Sequence, residues 1–303
     1  MAQAAKSGVR KAGRGGTVDA GGAGDVLTSR DNRWLKEFRV ALRGGVATAD
    51  GAVGVEGVRL VEEALTSGCR VQAVLFSESG ERHREKLAPL VGTRETGFPV
   101  LRTTDRLFEG IADTEHPQGV AALVIPKQVE MAELLTTPAG ACAPLLVVLA
   151  GVQDPGNVGT ILRTAAAFGA TGIVTTATGQ SGTASPFAPK AMRASAGAGL
   201  HLPIMTGMAL GILLAQLKMN GIATVASCAH EEEPGAMAPW EVEWCVPVAL
   251  LVGNEGAGLP AEVVHGADGR IHIPMATKVE SLNAGAAAAV VLYEAYRQRT
   301  KKG

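Results

Sequence analysis

The sequence passes from strand to turn to helix within the stretch Leu145-Leu-Val-Val-Leu-Ala-Gly-Val-Gln-Asp-Pro-Gly-Asn-Val-Gly-Thr-Ile-Leu-Arg163. Its first six residues are apolar, which is typical of a strand in a parallel sheet that is covered on both faces. Asp154-Pro-Gly is a turn sequence, and Val158 to Phe168 has the apolar spacing of a helix. Gly169 is placed to end that helix. The stretch predicts an α/β domain whose first loop carries polar side chains.

Two further segments of the C-terminal half share this arrangement. Leu251-Val-Gly-Asn-Glu-Gly-Ala-Gly-Leu259 continues a strand-like run, and Ile273-Pro-Met275 is followed by Glu280-Ser-Leu-Asn283. Glycine-rich backbone after a strand lets a ligand come close to main-chain amides. The three loops together therefore predict one site for a small polar ligand.

The glycine spacing of the second loop differs from two common nucleotide-binding motifs. Gly253, Gly256 and Gly258 read G-x-x-G-x-G, whereas the dinucleotide fingerprint is G-x-G-x-x-G. The loop also lacks the Lys-Ser/Thr pair of a phosphate-binding P-loop. These differences exclude a nucleotide-dependent oxidoreductase.

Polar side chains in the three loops have both structural and functional interpretations. Asn157 stands where a helix N-cap is expected, and Ser281 and Asn283 precede an alanine-rich helix. Glu255 is either a cap or a carboxylate that orients a ligand. Arg163 lies inside a helix of small and apolar residues, so we expect it to meet an anionic partner or to reach solvent.

The alternation of strands and helices along the chain predicts two α/β domains. An apolar strand pattern at 120–125 follows a charged helical pattern at 81–90. In the C-terminal half, strands are predicted at 246–252 and 270–274, and a long helix at 282–299 closes the chain. The predicted segments are a disordered basic and glycine-rich tail (1–30), a small α/β domain (31–126), a linker (127–143) and the C-terminal domain (144–303).

The composition narrows the class of protein. The 303 residues are enough for two domains of ordinary size, and 47% of them are hydrophobic, which allows a sizeable core. The formal net charge of −1 excludes a global basic field. No apolar run reaches membrane-spanning length and the N-terminus lacks the apolar segment of a signal peptide, so we expect a cytoplasmic protein. Four cysteines stand far apart without metal-ligand spacing, so we expect buried free thiols and no metal site: Cys69, Cys142, Cys228 and Cys245.

The three loops, in this order and on these elements, resemble the motifs of the SpoU (TrmH-type) branch of the SPOUT RNA ribose 2′-O-methyltransferases. The resemblance covers about residues 144–299, where 185–198 is similar to the family's Arg-Ala-Ser-x-Gly-Ala run. Residues 55–64 and 116–120 resemble the family's α/β substrate-binding domain. The resemblance implies a parallel sheet with a deep trefoil knot, S-adenosylmethionine as cofactor, and a homodimer formed through the C-terminal domain with the active site near its interface.

The resemblance also implies roles for individual residues. The family's catalytic positions are occupied by Asn157, Arg163, Glu255, Ser281 and Asn283. The positions implied to contact the cofactor are occupied by Gly253, Asn254, Gly256, Ile273 and Leu282. Since a guanidinium is a poor base, we interpret Arg163 as a clamp on the phosphate beside the target ribose that also stabilises the developing oxyanion. One departure from the family pattern is Ala284-Gly285, which replaces a branched residue and a serine.

We expect the substrate RNA to be held mainly through its phosphates and 2′-hydroxyls. The candidate cations are Arg39, Arg43 and Arg59 in the N-terminal domain and Lys190 and Arg193 in the C-terminal domain. The resemblance favours methyl transfer from S-adenosylmethionine to a ribose of structured RNA, with 23S-type ribosomal RNA ahead of transfer RNA. A catalytically silent RNA-binding or ribosome-assembly factor is the alternative from a different class.

Overall fold

The computed structural model of this chain describes residues 26–91, 97–137, 142–177, 182–228, 234–276 and 281–301. Within them the strands are β1 (Val26–Leu27), β2 (Val53–Glu56), β3 (Arg70–Ser77), β4 (Val100–Thr103), β5 (Val120–Ile125), β6 (Leu145–Leu149), β7 (Gly172–Thr176), β8 (Ile204–Met208), β9 (Ala223–Ser227), β10 (Ala236–Met237), β11 (Val248–Val252) and β12 (Gly269–Ile271). The α-helices are α1 (Arg33–Leu42), α2 (Val58–Thr66), α3 (Arg84–Val91), α4 (Asp105–Glu109), α5 (Met131–Leu134), α6 (Pro155–Ala167), α7 (Pro189–Ala194), α8 (Leu210–Met219), α9 (Ala261–Gly266) and α10 (Ala284–Lys301). These elements form two sheets that are packed against helices.

The N-terminal sheet has five strands in the order β1-β4-β3-β5-β2. β5 runs antiparallel to β2 and β3, whereas β1, β4 and β3 are parallel. Successive side chains of a strand point to opposite faces, so β3 contributes to two cores. Ala73 and Leu75 pack with Phe38 of α1, while Val74 and Phe76 pack with α2. The N-terminal half is thus a mixed sheet with helices on both faces.

The C-terminal sheet has seven strands in the order β10-β12-β9-β11-β6-β7-β8, and all its pairs are parallel. On β6, Leu145, Val147 and Leu149 face the core formed with α6 and α10. Leu146 and Val148 face the core formed with α8 and α9. The prediction of a parallel sheet covered on both faces is confirmed. The trefoil knot that the resemblance implies stays a prediction.

Helix α6 begins earlier than the sequence pattern indicated. Its N-cap is Asp154, whose Oδ1 accepts a hydrogen bond from the backbone N–H of Asn157 at 3.0 Å, and Pro155 occupies the first helical position. The interpretation of Asn157 as the N-cap is wrong, because Asp followed by Pro is a stronger start signal. The helix has Phe168 as its C-cap, and Gly169 follows with a left-handed φ of 73°, as predicted.

Other predicted boundaries are wrong by a few residues. The closing helix α10 begins at Ala284 rather than at 282, because the side chain of Asn283 accepts hydrogen bonds from its first turn. The last strand ends at Ile271 rather than at 274, and the charged pattern at 81–90 is a 3-10 turn followed by α3. Part of the predicted disordered tail is a strand, since β1 pairs with β4, whereas residues 1–25 lie outside the described residues. The predicted domain boundaries stay predictions.

The environment of the cysteines differs from the prediction. All four lie within the described residues and form no disulfide there, but Cys142 is exposed and the other three are partly exposed. Buried thiols were therefore the wrong expectation. Across the parts of the chain that the structure covers, no helix combines the length and apolar character needed to cross a membrane.

Candidate active site

The three loops converge at the carboxyl-terminal ends of strands in the C-terminal sheet. The first follows β6, the second follows β11 and the third joins β12 to α10. All three leave the carboxyl ends of parallel strands, where ligand sites of α/β proteins occur. A cleft of about 390 Å³ lies there. The predicted site residues that line it are Asn157, Gly253, Asn254, Glu255, Ile273, Ser281, Leu282 and Asn283.

Glu255 holds the second loop against the first. Its Oε2 accepts a hydrogen bond from the N–H of Gln153 at 3.0 Å. Its Oε1 accepts from the N–H of Asp154 and from Nδ2 of Asn157, each at 3.0 Å. The next helix, α9, has Pro260 as its N-cap. Glu255 therefore fixes the loop ahead of α6, and its predicted role towards a ligand stays a prediction.

Asn157 extends this connection to the third loop. Nδ2 of Asn283 donates to Oδ1 of Asn157 at 2.8 Å, while Nδ2 of Asn157 donates to Glu255. Oδ1 of Asn283 accepts from the backbone N–H of Gly285 at 2.9 Å and thereby caps α10. The hydrogen-bonded chain Asn283–Asn157–Glu255 joins all three loops and sets the orientation of both amides.

Asn254 closes the second loop on itself. It exchanges two backbone hydrogen bonds of 3.0 Å with Gly258, and its Oδ1 accepts from the N–H of Gly256 at 2.9 Å. Its Nδ2 donates to the carbonyl of Gly151 in the first loop at 2.9 Å. A Cβ at Gly253 would lie 2.4 Å from the carbonyl carbon of Gly258, so the close crossing requires glycine. The loop therefore has a fixed shape.

Two carboxylates near the cleft have pKa values below the ordinary range. Burial raises the pKa of Glu255, but hydrogen bonds from Gln153, Asn157 and Asp154 outweigh burial and lower it overall. The pKa of Asp154 is lowered first by Lys190, whose Nζ lies 2.7 Å from Oδ2, and then by the N–H of Asn157. Both groups are anions at neutral pH, which makes them weak general bases.

Arg163 and Ser281 are placed differently from the hydrogen-bonded residues. Arg163 is exposed on α6 and does not line the cleft. It stands six residues after Asn157, which is about 9 Å along a helix axis. Of the two expectations for Arg163, the route to solvent is the one observed. Ser281 is exposed and lines the cleft, while the neighbouring Glu280 lies outside the described residues.

Part of the cleft is formed by residues that no sequence motif indicates. Ser227 and Cys228, at the end of β9, line it together with Met275 and Gly258. Gly258 belongs to the second loop and Met275 to the third. Ser227 and Cys228 belong to no motif, and the pairing of β9 with β11 brings these two residues to the site. Gly256, which was predicted to contact the cofactor, is exposed and does not line the cleft.

The cleft fits a nucleoside-type cofactor in size and lining. Its volume falls within the roughly 300–1,000 Å³ typical of small-molecule sites. Ile273, Met275 and Leu282 give it an apolar part, and Leu282 is 40% exposed, which leaves apolar surface for a ligand to cover. Asn254, Ser281 and Asn283 add polar residues to the lining. In the described residues, no group of three or more His, Cys, Asp or Glu is arranged to hold a metal ion.

A larger cleft of about 620 Å³ lies between the two domains. Val53 and Ile125 line it from the N-terminal side, and Phe187 and Met205 line it from the C-terminal side. Its lining includes none of the residues predicted for catalysis or cofactor binding. Size alone therefore does not identify the active site, and the convergence of the three loops favours the smaller cleft.

The predicted RNA-binding arginines of the N-terminal domain are accessible. Arg43 and Arg59 are exposed, and Arg39 is half-exposed. Arg43 also donates a long hydrogen bond of 3.5 Å to the carbonyl of Gly110. Their contact with RNA stays a prediction.

The two predicted RNA-binding cations of α7 have acidic partners. Lys190 forms an ion pair with Asp154 of the first loop. Nη1 of Arg193 lies 2.5 Å from Oδ2 of Asp113, which belongs to the N-terminal domain. Arg193 therefore has an interdomain contact that competes with its predicted role at RNA.

Comparison with known proteins defines the class of this chain as RNA methyltransferases. Residues 144–293 match the SpoU rRNA Methylase family, and residues 48–122 match the MRM3-like substrate binding domain. An uncharacterized tRNA/rRNA methyltransferase of Synechocystis sp. is 32% identical over 90% of this chain and 94% of its own length. The 23S rRNA (guanosine(2553)-2′-O)-methyltransferase RlmP of Bacillus subtilis is 28% identical over 88% of this chain and 97% of its own.

Solved structures agree with these matches. An rRNA methyltransferase from Sinorhizobium meliloti with bound AdoMet has a TM-score of 0.75 at 28% identity, over 90% of this chain and 97% of that protein. The SpoU methyltransferase AviRb from Streptomyces viridochromogenes, in complex with AdoMet, has a TM-score of 0.74 at 26% identity, over 89% and 98%. This chain belongs to the SpoU rRNA methylase family, and its cofactor is S-adenosylmethionine.

Proposed function

We propose that this protein transfers the methyl group of S-adenosylmethionine to a ribose 2′-hydroxyl of ribosomal RNA of the 23S type. The observation that carries the proposal is the hydrogen-bonded chain Asn283–Asn157–Glu255, which holds three loops around one cleft. The name of the Bacillus subtilis relative, which specifies 2′-O-methylation of a guanosine in 23S rRNA, supports this substrate. Transfer RNA is the alternative substrate. We infer that it acts in the cytoplasm, because the relative that methylates 23S rRNA is bacterial.

The polar residues of the cleft act by orientation. The bound cofactor supplies an electrophilic methyl group, and Gly253, Ile273 and Leu282 are placed to hold it. Asn157 is hydrogen-bonded to Glu255 and to Asn283, and Glu255 also accepts hydrogen bonds from the first loop. They keep the loops in a fixed geometry, and fixed geometry lowers the entropic barrier to an in-line transfer.

We assign Arg163 to the RNA. Its guanidinium is exposed and stays charged, and its planar shape matches a phosphate through two hydrogen bonds. Beside the target ribose it also stabilises the negative charge that develops on the 2′-oxygen. The exposed hydroxyl of Ser281 in the cleft is the candidate hydrogen-bond partner of the ribose.

We infer a homodimer formed through α6 and α10. Val290, Tyr293 and Tyr296 of α10 are 45%, 55% and 41% exposed. Tyr293 also contacts Phe168 at the end of α6, with ring centroids 5.5 Å apart. An exposed aromatic and aliphatic patch is typical of protein interfaces. Because Arg163 is exposed on α6 as well, such an interface brings it towards the partner chain.

We assign four of the five candidate cations, all except Arg193, to the phosphate backbone of the RNA. Arg39, Arg43 and Arg59 supply positive charge on the N-terminal domain, and Lys190 supplies it next to the first loop. Phosphate contacts of this kind fix the position of the RNA without reading its sequence.

Methyl transfer to RNA that lacks its natural modifications tests this function. Ribosomal and transfer RNA are offered in parallel with methyl-labelled cofactor, and the products are digested with alkali, which spares 2′-O-methylated linkages. We expect labelled alkali-resistant dinucleotides from ribosomal RNA with the wild type and with Arg84→Ala, an exposed arginine of α3, but not with Arg163→Ala. Label only in transfer RNA identifies the alternative substrate. Cofactor binding without transfer to either RNA favours the silent RNA-binding protein.

The substitution Arg163→Lys tests the proposed clamp. Lysine keeps the positive charge but loses the planar pair of donors. We expect kcat/KM for RNA to fall by about tenfold, which corresponds to ~1.4 kcal/mol, while the Kd for S-adenosylmethionine is unchanged. Turnover equal to that of the wild type contradicts a bidentate clamp.

A further inference from the structure

A short part of the C-terminal domain is built into the core of the N-terminal domain. This docking segment consists of α7 and the 3-10 turn after it, residues 189–201. Its residues Met192 and Leu200 are 0% and 3% exposed, and they belong to the same buried cluster as Val58 and Val61 of α2. The two domains therefore share an apolar core.

The backbone of the docking segment is shaped for this contact. Ala196 and Gly197 both have left-handed φ angles, 52° and 85°. A Cβ at Gly197 would lie 2.8 Å from the Cβ of Glu63 on α2, so the chain passes α2 without room for a side chain. The thiol of Cys69 donates to the carbonyl of Leu200 at 3.4 Å. An alanine keeps a left-handed conformation only where its surroundings impose it, which indicates a rigid segment.

Ion pairs surround the apolar contact. Arg193 and Asp113 are 2.5 Å apart, with side chains 38% and 30% exposed. Nε2 of His201 lies 2.8 Å from Oε2 of Glu63. The backbone N–H of Asp113 donates at 2.9 Å to the carboxylate of Glu56, which is only 7% exposed. Arg193 therefore binds a loop that is itself fixed to the N-terminal sheet.

The other side of the docking segment packs against α6. A Cβ at Gly159 of α6 would lie 2.4 Å from the carbonyl oxygen of Ala191 and 2.6 Å from the Cβ of Ala194. Lys190 is paired with Asp154, the N-cap of α6. The segment thus contacts both the substrate-binding domain and the helix that carries Asn157.

We propose that the docking segment is a rigid joint that determines which ribose of the bound RNA reaches the methyl group, and that Arg193 and Asp113 are its positioning pair. The N-terminal domain holds the RNA and the C-terminal domain methylates it, so the choice of nucleotide depends on the spacing between the domains. This inference rests on the proposed RNA methylation. It gives Arg193 a role that does not require contact with RNA.

Charge reversal and charge exchange test the positioning pair. The variants are Arg193→Asp, Asp113→Arg and the double variant that exchanges the two charges, with Arg193→Gln as a milder substitution. Each is measured for kcat/KM with RNA, for the Kd of S-adenosylmethionine, for the position of the 2′-O-methyl group and for the radius of gyration by solution scattering. Lys86→Glu is the matched control, because Lys86 pairs with Glu62 at 2.7 Å within the N-terminal domain.

We expect each single reversal to lower kcat/KM for RNA by about tenfold, or ~1.4 kcal/mol, and to spread methylation to neighbouring riboses. The radius of gyration rises and the Kd for the cofactor is unchanged. The double variant regains the wild-type radius, most of the activity and the single site of methylation, and Lys86→Glu resembles the wild type throughout.

Three results overturn the proposal. A double variant as impaired as Arg193→Asp shows that Arg193 contacts RNA directly. Wild-type activity and a wild-type methylation site in both single reversals and in Arg193→Gln show that the pair does not position the domains. Lower activity at an unchanged methylation site shows a merely structural role. If the wild type methylates no RNA, the proposed function fails, but scattering still reports whether the pair holds the domains together.

Discussion

Three hydrogen-bond donors of the first loop converge on the carboxylate of Glu255, and this determines what the residue can do. The donors are the backbone N–H groups of Gln153 and Asp154 and the side-chain amide of Asn157. Because these hydrogen bonds favour the ionised carboxylate, the pKa of Glu255 is lowered. The carboxylate is therefore a weak proton acceptor. We therefore expect Glu255 to contribute to catalysis by fixing the position of the first loop relative to the second.

Replacing the carboxylate by an amide tests this role. In Glu255→Gln one oxygen becomes an NH2 group, which opposes the donors of the first loop. Hydrogen bonds to a charged group contribute about 1.5–3 kcal/mol, and Glu255 is exposed, so we expect the Kd for S-adenosylmethionine to rise by about tenfold. The matched control is Glu262→Gln on α9, also exposed, which should bind as the wild type does. Isothermal titration measures both, and equal affinities contradict the orienting role.

The pH dependence of stability follows from the same contacts. The folded-state pKa of Glu255 lies below its ordinary value of 4.5, and that of Asp154 lies below 3.8. A depressed pKa contributes stability that is fully present above the ordinary value and is lost as the pH falls through the folded-state value. We therefore expect the difference in unfolding free energy between the wild type and Glu255→Gln to be constant from pH 6 to 8 and to shrink below about pH 4.5. A difference that changes between pH 6 and 8 contradicts this account.

At the scale of elements, α6 is packed closely on two sides through glycines. Gly159 faces α7, and Gly285 of α10 faces Thr160, where a Cβ would lie 2.8 Å from Cγ2. The family pattern has a serine at the position of Gly285. Here glycine leaves room for the side chain of Thr160. These close contacts keep Asn157, near the start of α6, in line with Asn283, at the start of α10.

The substitution Gly159→Ala tests this packing. The added methyl group meets a backbone oxygen that cannot move independently, and overpacking costs about 1–3 kcal/mol. The gain of up to about 1 kcal/mol from replacing a helical glycine offsets part of this cost. We expect the unfolding free energy to fall by about 1–2 kcal/mol. Gly211→Ala on α8, where nothing lies within 4 Å of the new Cβ, should raise it slightly. Equal effects in urea unfolding contradict the close contact.

Features of the fold and of the site can be predicted from the sequence where the residues that form them are neighbours in the chain. Local sequence patterns predict the turn at Asp154 and the strand β6. Each of the three loops is also a local pattern, so the loops and their order along the chain were predictable. The hydrogen bonds of Asn157 join it to Glu255, 98 positions away, and to Asn283, 126 positions away, so no local pattern predicts them. Met192 likewise stands in a short helix whose sequence does not tell which domain buries it.

At the scale of the whole molecule, the exposed face of α10 is the feature that a single chain leaves unexplained. The double substitution Val290→Asp with Tyr293→Asp places charges in this patch. Interface residues of this kind contribute ~2 kcal/mol or more, so we expect the dimer to dissociate at concentrations at least about 30-fold higher than the wild type. Ile212→Asp on α8, where Ile212 is 59% exposed, is the matched control and should leave the dimer intact. Sedimentation that gives the double variant the same dissociation concentration as the wild type, or that shows a monomer in the wild type, contradicts the inferred interface.

We propose that the three joined loops, rather than the larger interdomain cleft, form the cofactor site. A crystal structure of the protein grown with S-adenosylhomocysteine tests it most directly. The account predicts electron density for the ligand against Gly253, Ile273 and Leu282, with the hydrogen bonds between Asn283, Asn157 and Glu255 intact. Density instead in the interdomain cleft beside Val53 and Phe187 would contradict it.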